Sequence, residues 1–261
     1  MLYYVVDAFS DKIFGGNPAG VCVPDSWPED ELMRQITREN NLAETAFVVG
    51  KGPRYQLRWF TPAVEIDLCG HATLGTAFVL NRFYDAPPLM EFETLSGLLT
   101  VEAKGDLLEM NFPARAQRPV EVDQRMKDAV EAPIVGAYGG YNLMLELEDE
   151  KAVRDLRPDL AAVRSLTEYH GLIVTAAGSD CDFVSRFFAP GLGIDEDPVT
   201  GSTHTSLVPF WAERLGRDEL TARQLSRRGG SIFCRNAGER VYISGRASLY
   251  LTGELRLDSW K

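Results

Sequence analysis

Histidine and cysteine are scarce: His71, His170 and His204, and Cys22, Cys69, Cys181 and Cys234, are the full complement in 261 residues. No two cysteines form a Cys-x-x-Cys pair, so in a chain this long they read as reduced thiols, not as a disulfide framework. His-x-x-x-His and His-Glu-x-x-His are also missing, and the spacing rules therefore give no metal centre. Gly-x-x-x-x-Gly-Lys, Gly-x-Gly-x-x-Gly and Gly-x-Ser-x-Gly do not occur, which leaves nucleotide cofactors, dinucleotide cofactors and a serine nucleophile elbow unsupported. No apolar run approaches the ~20 residues of a membrane helix. Met1 to Asp7 has no basic region and its apolar stretch stops at Asp7, so it reads as a first strand and not as a signal peptide. Positive charge is short as well, with 27 Lys and Arg against 38 Asp and Glu and a net charge of −11. That balance counts against nucleic acid or an anionic membrane as partner, while a local positive site for a small anionic substrate stays open. The expectation is a soluble cytoplasmic protein with cofactor-independent chemistry; its 45% hydrophobic content is enough for a real core.

What the chain does have is an internal repeat. Arg58-Trp59-Phe60-Thr61-Pro62 with Ile66-Asp67 returns, 128 residues on, as Arg186-Phe187-Phe188-Ala189-Pro190 with Ile194-Asp195. Each copy leads to a glycine and a helix-like segment, Gly70-His71-Ala72-Thr73 and Gly201-Ser202-Thr203-His204, the second three residues late in its frame. A period of about half the chain, seen twice, indicates a duplicated domain and not a solenoid. The halves are read as 1–115 and 116–261.

Strands are expected near 2–7, 45–49, 55–60, 89–94, 98–103 and 107–112, then near 141–147, 172–176 and 183–188. Ser26 with Glu29 fits a capping box opening a helix that runs to about Arg38. Gly70 to Leu80 is apolar almost all round, so that helix must be enclosed. Helices are also expected at 122–130, 159–166 and 202–215. The last of these ends at Gly216, and Pro209 inside it is expected to bend or break it. The tail from Thr221 to Leu257 alternates like antiparallel strands. Strands outnumber helices and cluster together, which makes the class α+β: strands around one buried helix, twice.

The two glycine-preceded helix starts carry the chemistry. A helix N-terminus presents unpaired N–H groups and about half a positive charge, suited to a carboxylate. The alternative is that glycine only eases a tight turn. Glu44 stands beside an apolar strand, and its counterpart at the 128 offset is Leu172, so the scaffold does not require a carboxylate there. Burial would tune such a group toward acid–base work. An exposed strand-start glutamate is the plain alternative. Asp197 falls in a three-residue insertion, Glu196-Asp197-Pro198, where it serves either as a second carboxylate or as a turn residue. At a helix start His71 is expected as a neutral imidazole, either functional or structural, whereas His204 packs in its helix and His170 lies at the surface.

At these residues the sequence resembles the phenazine-biosynthesis (PhzF-like) isomerase family, within the diaminopimelate-epimerase-like fold. The resemblance spans essentially the whole chain. It rests on Val6-Asp7-Ala8-Phe9, Gly16-Asn17-Pro18-Ala19, Leu42-Ala43-Glu44-Thr45, Phe60-Thr61-Pro62 through Cys69-Gly70-His71-Ala72-Thr73, and Asp197-Pro198-Val199-Thr200-Gly201-Ser202. It implies two similar domains related by a pseudo-twofold axis, each a curved, mostly antiparallel sheet or barrel around a central helix. The active site would lie between them, and the last strand would return to the first half. It further implies Glu44 as the acid/base moving a proton between carbons, with His71 and Asp197 holding the substrate and assisting. Asn17, Ser202 and the amides at Gly70 and Gly201 would bind the carboxylate. No cofactor and a homodimer follow from the same resemblance. Related racemases pair two thiols, but Cys69 has Thr200 as its counterpart, which disfavours that reading. A non-catalytic ligand-binding protein on this fold is the other alternative.

Overall fold

The repeat seen in the sequence reappears as a repeat in strand pairing. The structure is a computed structural model that describes residues 1–258 and 260. Its elements run β1 (Leu2–Ala8), β2 (Asn17–Cys22), α1 (Asp30–Asn40), β3 (Glu44–Lys51), β4 (Arg54–Phe60), β5 (Glu65–Ile66), α2 (Gly70–Phe83), β6 (Leu89–Thr94), β7 (Gly97–Lys104) and β8 (Leu107–Pro113). They continue β9 (Arg118–Pro119), α3 (Gln124–Val130), β10 (Ile134–Gly139), β11 (Leu143–Leu147), α4 (Glu150–Asp155), α5 (Leu160–Ser165), β12 (Leu172–Ala177), β13 (Phe183–Ala189), β14 (Ile194–Asp197), α6 (Gly201–Leu215), β15 (Glu219–Gln224), β16 (Gly230–Ala237), β17 (Arg240–Gly245) and β18 (Ala247–Glu254). Two compact units emerge: Met1–Asn111 with Ser244–Lys261, and Phe112–Ile243.

In the first unit β1 pairs antiparallel with β2, β2 parallel with β3, and β3 antiparallel with β4. β4 then pairs antiparallel with β5 and parallel with β6, and β6 antiparallel with β7. In the second unit β10, β11, β12, β13, β14, β15 and β16 repeat that series, with both parallel steps in the same places. Each parallel step is bridged by helix, as a parallel crossover requires: α1 and α2 in the first unit, α4 with α5 and then α6 in the second. β18 pairs antiparallel with β1 inside the first unit.

The ladder moves the insertion. Trp59 pairs with Ile66, and Phe187, its counterpart, pairs with Asp197. Asp197 is thus the equivalent of Ile66, and the three extra residues lie earlier, around the 3₁₀ turn Pro190–Leu192. The expected insertion at Glu196-Asp197-Pro198 is corrected accordingly. Identical Ile-Asp letters had drawn the comparison three residues out of register.

Both faces of the first sheet are covered. α1 turns Met33 and Ile36 inward against Tyr3, Val5, Phe47 and Phe60. α2 packs against β1, β2, β3, β7 and β18, and an added Cβ on Gly75 would touch Val6 and Ala19. Alternating residues of β1, Val5 and Val6, therefore serve opposite layers. This is why β1 is apolar without alternation and buried from Tyr3 to Ala8. Ala72, Leu74, Ala77 and Val79 of α2 are all 0% exposed, as expected of an enclosed helix. In the second unit β11, β12 and β13 bury Leu143, Leu145, Leu172, Val174, Val184 and Phe188 with α3, α4 and α5.

Two local expectations fail for identifiable reasons. α1 starts at Asp30 with Glu29 at the N-cap, and Ser26 stands outside it. Trp27 precedes Pro28, and a residue before proline is pushed away from helical φ/ψ, so the turn cannot begin there. α6 is unbroken through Pro209. The carbonyl that loses its helical donor, Thr205 O, instead accepts from the Arg115 N–H at 3.0 Å, and the usual penalty is offset. Gly216 ends α6 at φ 65°, the left-handed value its lack of Cβ permits. Among the described residues no helix is long and apolar enough to cross a membrane.

Candidate functional site

Side-chain parity gathers the first constellation. Ala19 of β2 lies opposite Glu44 of β3, and Ala19 faces α2 beside Gly75. Asn17, two residues earlier on β2, points the same way, as does Glu44 across the ladder. Both therefore reach the start of α2, where Cys69 is the N-cap and His71 lies in the first turn. Gly16 makes the approach possible: its φ is +62°, and a Cβ there would run into the carbonyl oxygen of Ala8.

Glu44 and His71 are only 7% and 6% exposed, and Glu44 Oε2 lies 3.2 Å from His71 Nε2. The other ring nitrogen, Nδ1, is 3.3 Å from Asn17 Nδ2 and 3.6 Å from Cys69 Sγ. The Asn17 amide carries both a donor and an acceptor, so it serves either protonation state of Nδ1. Burial alone would push His71 down, but the neighbouring Cys69 sulphur and the Glu44 carboxylate outweigh it and hold the imidazole well above its ordinary pKa. A carboxylate at contact distance thus works against the neutral His71 expected from the helix end. Burial pushes the Cys69 thiol above its ordinary value. Glu44, Cys69 and His71 bring one potential ligand atom each within 4.8 Å of one another. Spacing rules pass over this group, because Glu44 is on another strand and Cys69 and His71 are two residues apart.

The second constellation is built on Asp197 at the end of β14 and Thr200, the N-cap of α6. Thr200 Oγ1 donates to Asp197 Oδ2 at 2.5 Å. Gln224, the last residue of β15 and 1% exposed, holds both: its Oε1 accepts from Thr200 N at 2.9 Å, and its Nε2 donates to the Asp197 carbonyl at 2.8 Å. Gln224 does not stand out in the sequence, and Thr200 does so only as the counterpart of Cys69 and as part of the Asp197–Ser202 motif. The signal for Gln224 was an alternating strand, Glu219–Gln224, in which a polar residue occupies an inward position. Gln224→Leu is expected to cost roughly 1–3 kcal/mol by stranding the Thr200 N–H. A lowered urea midpoint with unchanged slope is the check.

Gly201 is buried and Ser202 half-buried in the first turn of α6, whereas in α2 Gly70 is half-buried and His71 buried. Neither helix has a side-chain cap or an acidic residue in its first turn. By contrast Asp123, Asp149 and Asp159 cap α3, α4 and α5. The first-turn N–H groups of α2 and α6 thus keep their positive end uncompensated by side chains.

His204 sits where the first copy has Thr73, and both give a side-chain hydrogen bond to the N-cap carbonyl: Nδ1 to Thr200 O at 2.8 Å, and Oγ1 to Cys69 O at 2.6 Å. Burial lowers the His204 pKa from 6.5 to about 4. The unfolded chain takes up this proton first, so stability is intact above pH 6.5 and falls progressively as the pH drops to about 4. The loss amounts to roughly 3 kcal/mol. His204→Thr, which keeps the bond Thr73 makes, is expected to flatten that acid limb in denaturation measured at pH 7 and pH 4.5.

The sequence profile of the family described as phenazine biosynthesis-like protein matches residues 6–253. Two uncharacterized isomerases of Pseudomonas aeruginosa are 48% identical over 255 residues and 50% identical over 257, covering 97% and 98% of this chain and 98% of each relative. The crystal structure of a PhzF-family phenazine biosynthesis protein from Enterococcus faecalis superposes with a TM-score of 0.96 at 45% identity, over 98% of this chain and 99% of that one. The α+β class and the relatives agree with the resemblance found in the motifs. The protein belongs to the phenazine biosynthesis-like, or PhzF, family.

Proposed function

We propose that the protein is a cofactor-independent isomerase that shifts a proton between carbons of a small carboxylate-bearing substrate. The observation that carries this is the buried Glu44–His71 pair at an uncapped helix start. In this reading Glu44 removes a proton from a carbon adjacent or conjugated to the substrate carboxylate and returns it to another carbon of the same molecule. No net proton is gained or lost, so no oxidant or cofactor is needed. His71, held by Asn17 and carrying a proton on Nε2, shares that proton with Glu44 and steadies the negative charge that builds on the substrate. The N–H groups at Gly70 and Gly201, with Ser202, bind the carboxylate or other polar groups. Asp197, fixed by Thr200 and Gln224, positions the substrate or takes the second proton-handling role.

The test is proton NMR in D₂O with a panel of carboxylates: dihydro-hydroxyanthranilate, diaminopimelate and several α-amino acids. Deuterium entering a carbon position of one compound is the expected result. Tight binding of a panel member with no exchange in any would favour a ligand-binding protein. Exchange confined to an α-carbon and lost in Cys69→Ser would favour a thiol-dependent racemase, against which Thr200 stands in the place of the second thiol.

A further inference from the structure

We propose that Glu44, Cys69 and His71 together form a binding site for a thiophilic divalent cation, with Zn²⁺ as the fitting ion, and that its occupation silences the proton shift. The proton-shift reading has no use for Cys69. Yet the thiol is 6% exposed, makes no cap for α2 and lies against the two groups that do the chemistry. One thiolate, one imidazole nitrogen and one carboxylate oxygen are a three-ligand zinc set that leaves the fourth position open.

The distances suit that ion. Zinc at about 2.3 Å from sulphur and about 2.0–2.1 Å from nitrogen and oxygen puts tetrahedral neighbours about 3.3–3.6 Å apart. Here His71 Nε2 is 4.0 Å from Cys69 Sγ and 3.2 Å from Glu44 Oε2. Cys69 Sγ now lies nearer Nδ1, at 3.6 Å, so closing the shell requires it to swing toward the Nε2 side, within a group whose ligand atoms already lie within 4.8 Å of one another. The Asn17 atom facing Nδ1 is Nδ2, at 3.3 Å; with that amide turned over, Nδ1 keeps its proton and donates it to Asn17 Oδ1, the outer contact that metal-bound histidines commonly have. Binding releases the Cys69 thiol proton and the Nε2 proton of the imidazolium to solvent. The sulphur selects zinc-like ions over Mg²⁺ and Ca²⁺, which prefer all-oxygen shells.

Silencing rests on the proton-transfer reading, because the metal would occupy the Glu44 lone pair and displace the His71 Nε2 proton to solvent; binding by itself does not. The probe is Co²⁺ alone, titrated into reduced protein without air. One equivalent is expected to give the visible bands of tetrahedral cobalt and a near-ultraviolet sulphur-to-cobalt charge-transfer band, both displaced by Zn²⁺. Cys69→Ser is expected to lose the charge-transfer band, and Cys181→Ser to keep it. Glu44→Gln should keep the band but bind Co²⁺ more than about 10-fold more weakly, since even outer contacts of metal ligands contribute about 10–100-fold. This second variant keeps the test valid if Cys69→Ser misfolds. Absence of the band in wild type, or its persistence in folded Cys69→Ser, overturns the site whatever turnover does. A normal band with deuterium exchange undiminished by Zn²⁺ keeps the site and overturns the silencing.

Discussion

Glu44→Gln is expected to slow deuterium exchange by about 10²–10⁴-fold, the usual contribution of a positioned general acid or base. The amide is nearly isosteric and keeps an oxygen beside His71 Nε2, so the fold and the His71–Asn17 contact should persist. Substrate affinity should change little, because carboxylate recognition is assigned to the helix-start amides. The loss belongs in kcat, with KM nearly constant, as for an interaction made only in the transition state. Glu44→Asp sharpens the test: it keeps the charge but withdraws the oxygens from the reacting carbon, and a ~1 Å misplacement is worth on the order of 10²-fold. A His71→Gln variant should change the pH profile as well as the rate. The wild-type limb set by the His71 imidazole lies above its ordinary value and should vanish with the ring. Full activity in Glu44→Gln would remove Glu44 from the chemistry.

These residues were legible in the sequence to different degrees, and the reasons are physical. Glu44 stands out because the other copy has no carboxylate there: the 128 offset sets Leu172 against it, and the ladder, which matches Thr45 with Leu172, sets Gly171. Asp197 stands out as a carboxylate in an apparent insertion, and the ladder gives it the apolar Ile66 as counterpart. Helix ends written in local chemistry were readable, as with Asp159 before α5 and Gly216 after α6. The start of α1 was misplaced because a capping pattern was given more weight than the proline inside it. α4 and β10 were missed, being six residues each and stabilised by the second unit's core more than by their own periodicity. The trio Glu44–Cys69–His71 was only half visible. Its members meet where the start of α2 packs against β3, a long-range fact that no spacing rule contains. Gln224 was hidden for the same reason, since its partners are 24 and 27 residues away.

The duplicated arginine gives the largest stability prediction, because its two copies have diverged in burial. Arg58 grips Glu65 with Nε and Nη2, each at 2.7 Å, and lies over Phe60. Arg186 grips Glu196 the same way, at 2.6 and 3.0 Å, and lies over Phe188. The third nitrogen distinguishes them. Arg58 Nη1 reaches Asp30 at the start of α1, whereas Arg186 Nη1 donates to the carbonyls of Val153 and Leu156 at the end of α4, at 3.2 and 2.8 Å. Arg186 thus closes the α4 C-terminus, where a cation is favoured, and ties it to the strand that carries Asp197. Its side chain is 8% exposed against 25% for Arg58. Arg186→Met, which conserves much of the volume, would leave a carboxylate and three carbonyls, those of Val153, Arg154 and Leu156, without this donor, at an expected cost of about 3–5 kcal/mol. Arg58→Met should cost roughly 1 kcal/mol, as solvent can take over its partners. Adding Glu196→Gln to Arg186→Met should recover part of the loss, because an uncompensated charge and not a lost attraction is then the main penalty. Urea denaturation of the four proteins decides it. Equal costs for the two arginines would mean that the clamp acts only as a surface ion pair in both units, and that Asp197 is held by Gln224 and Thr200 alone.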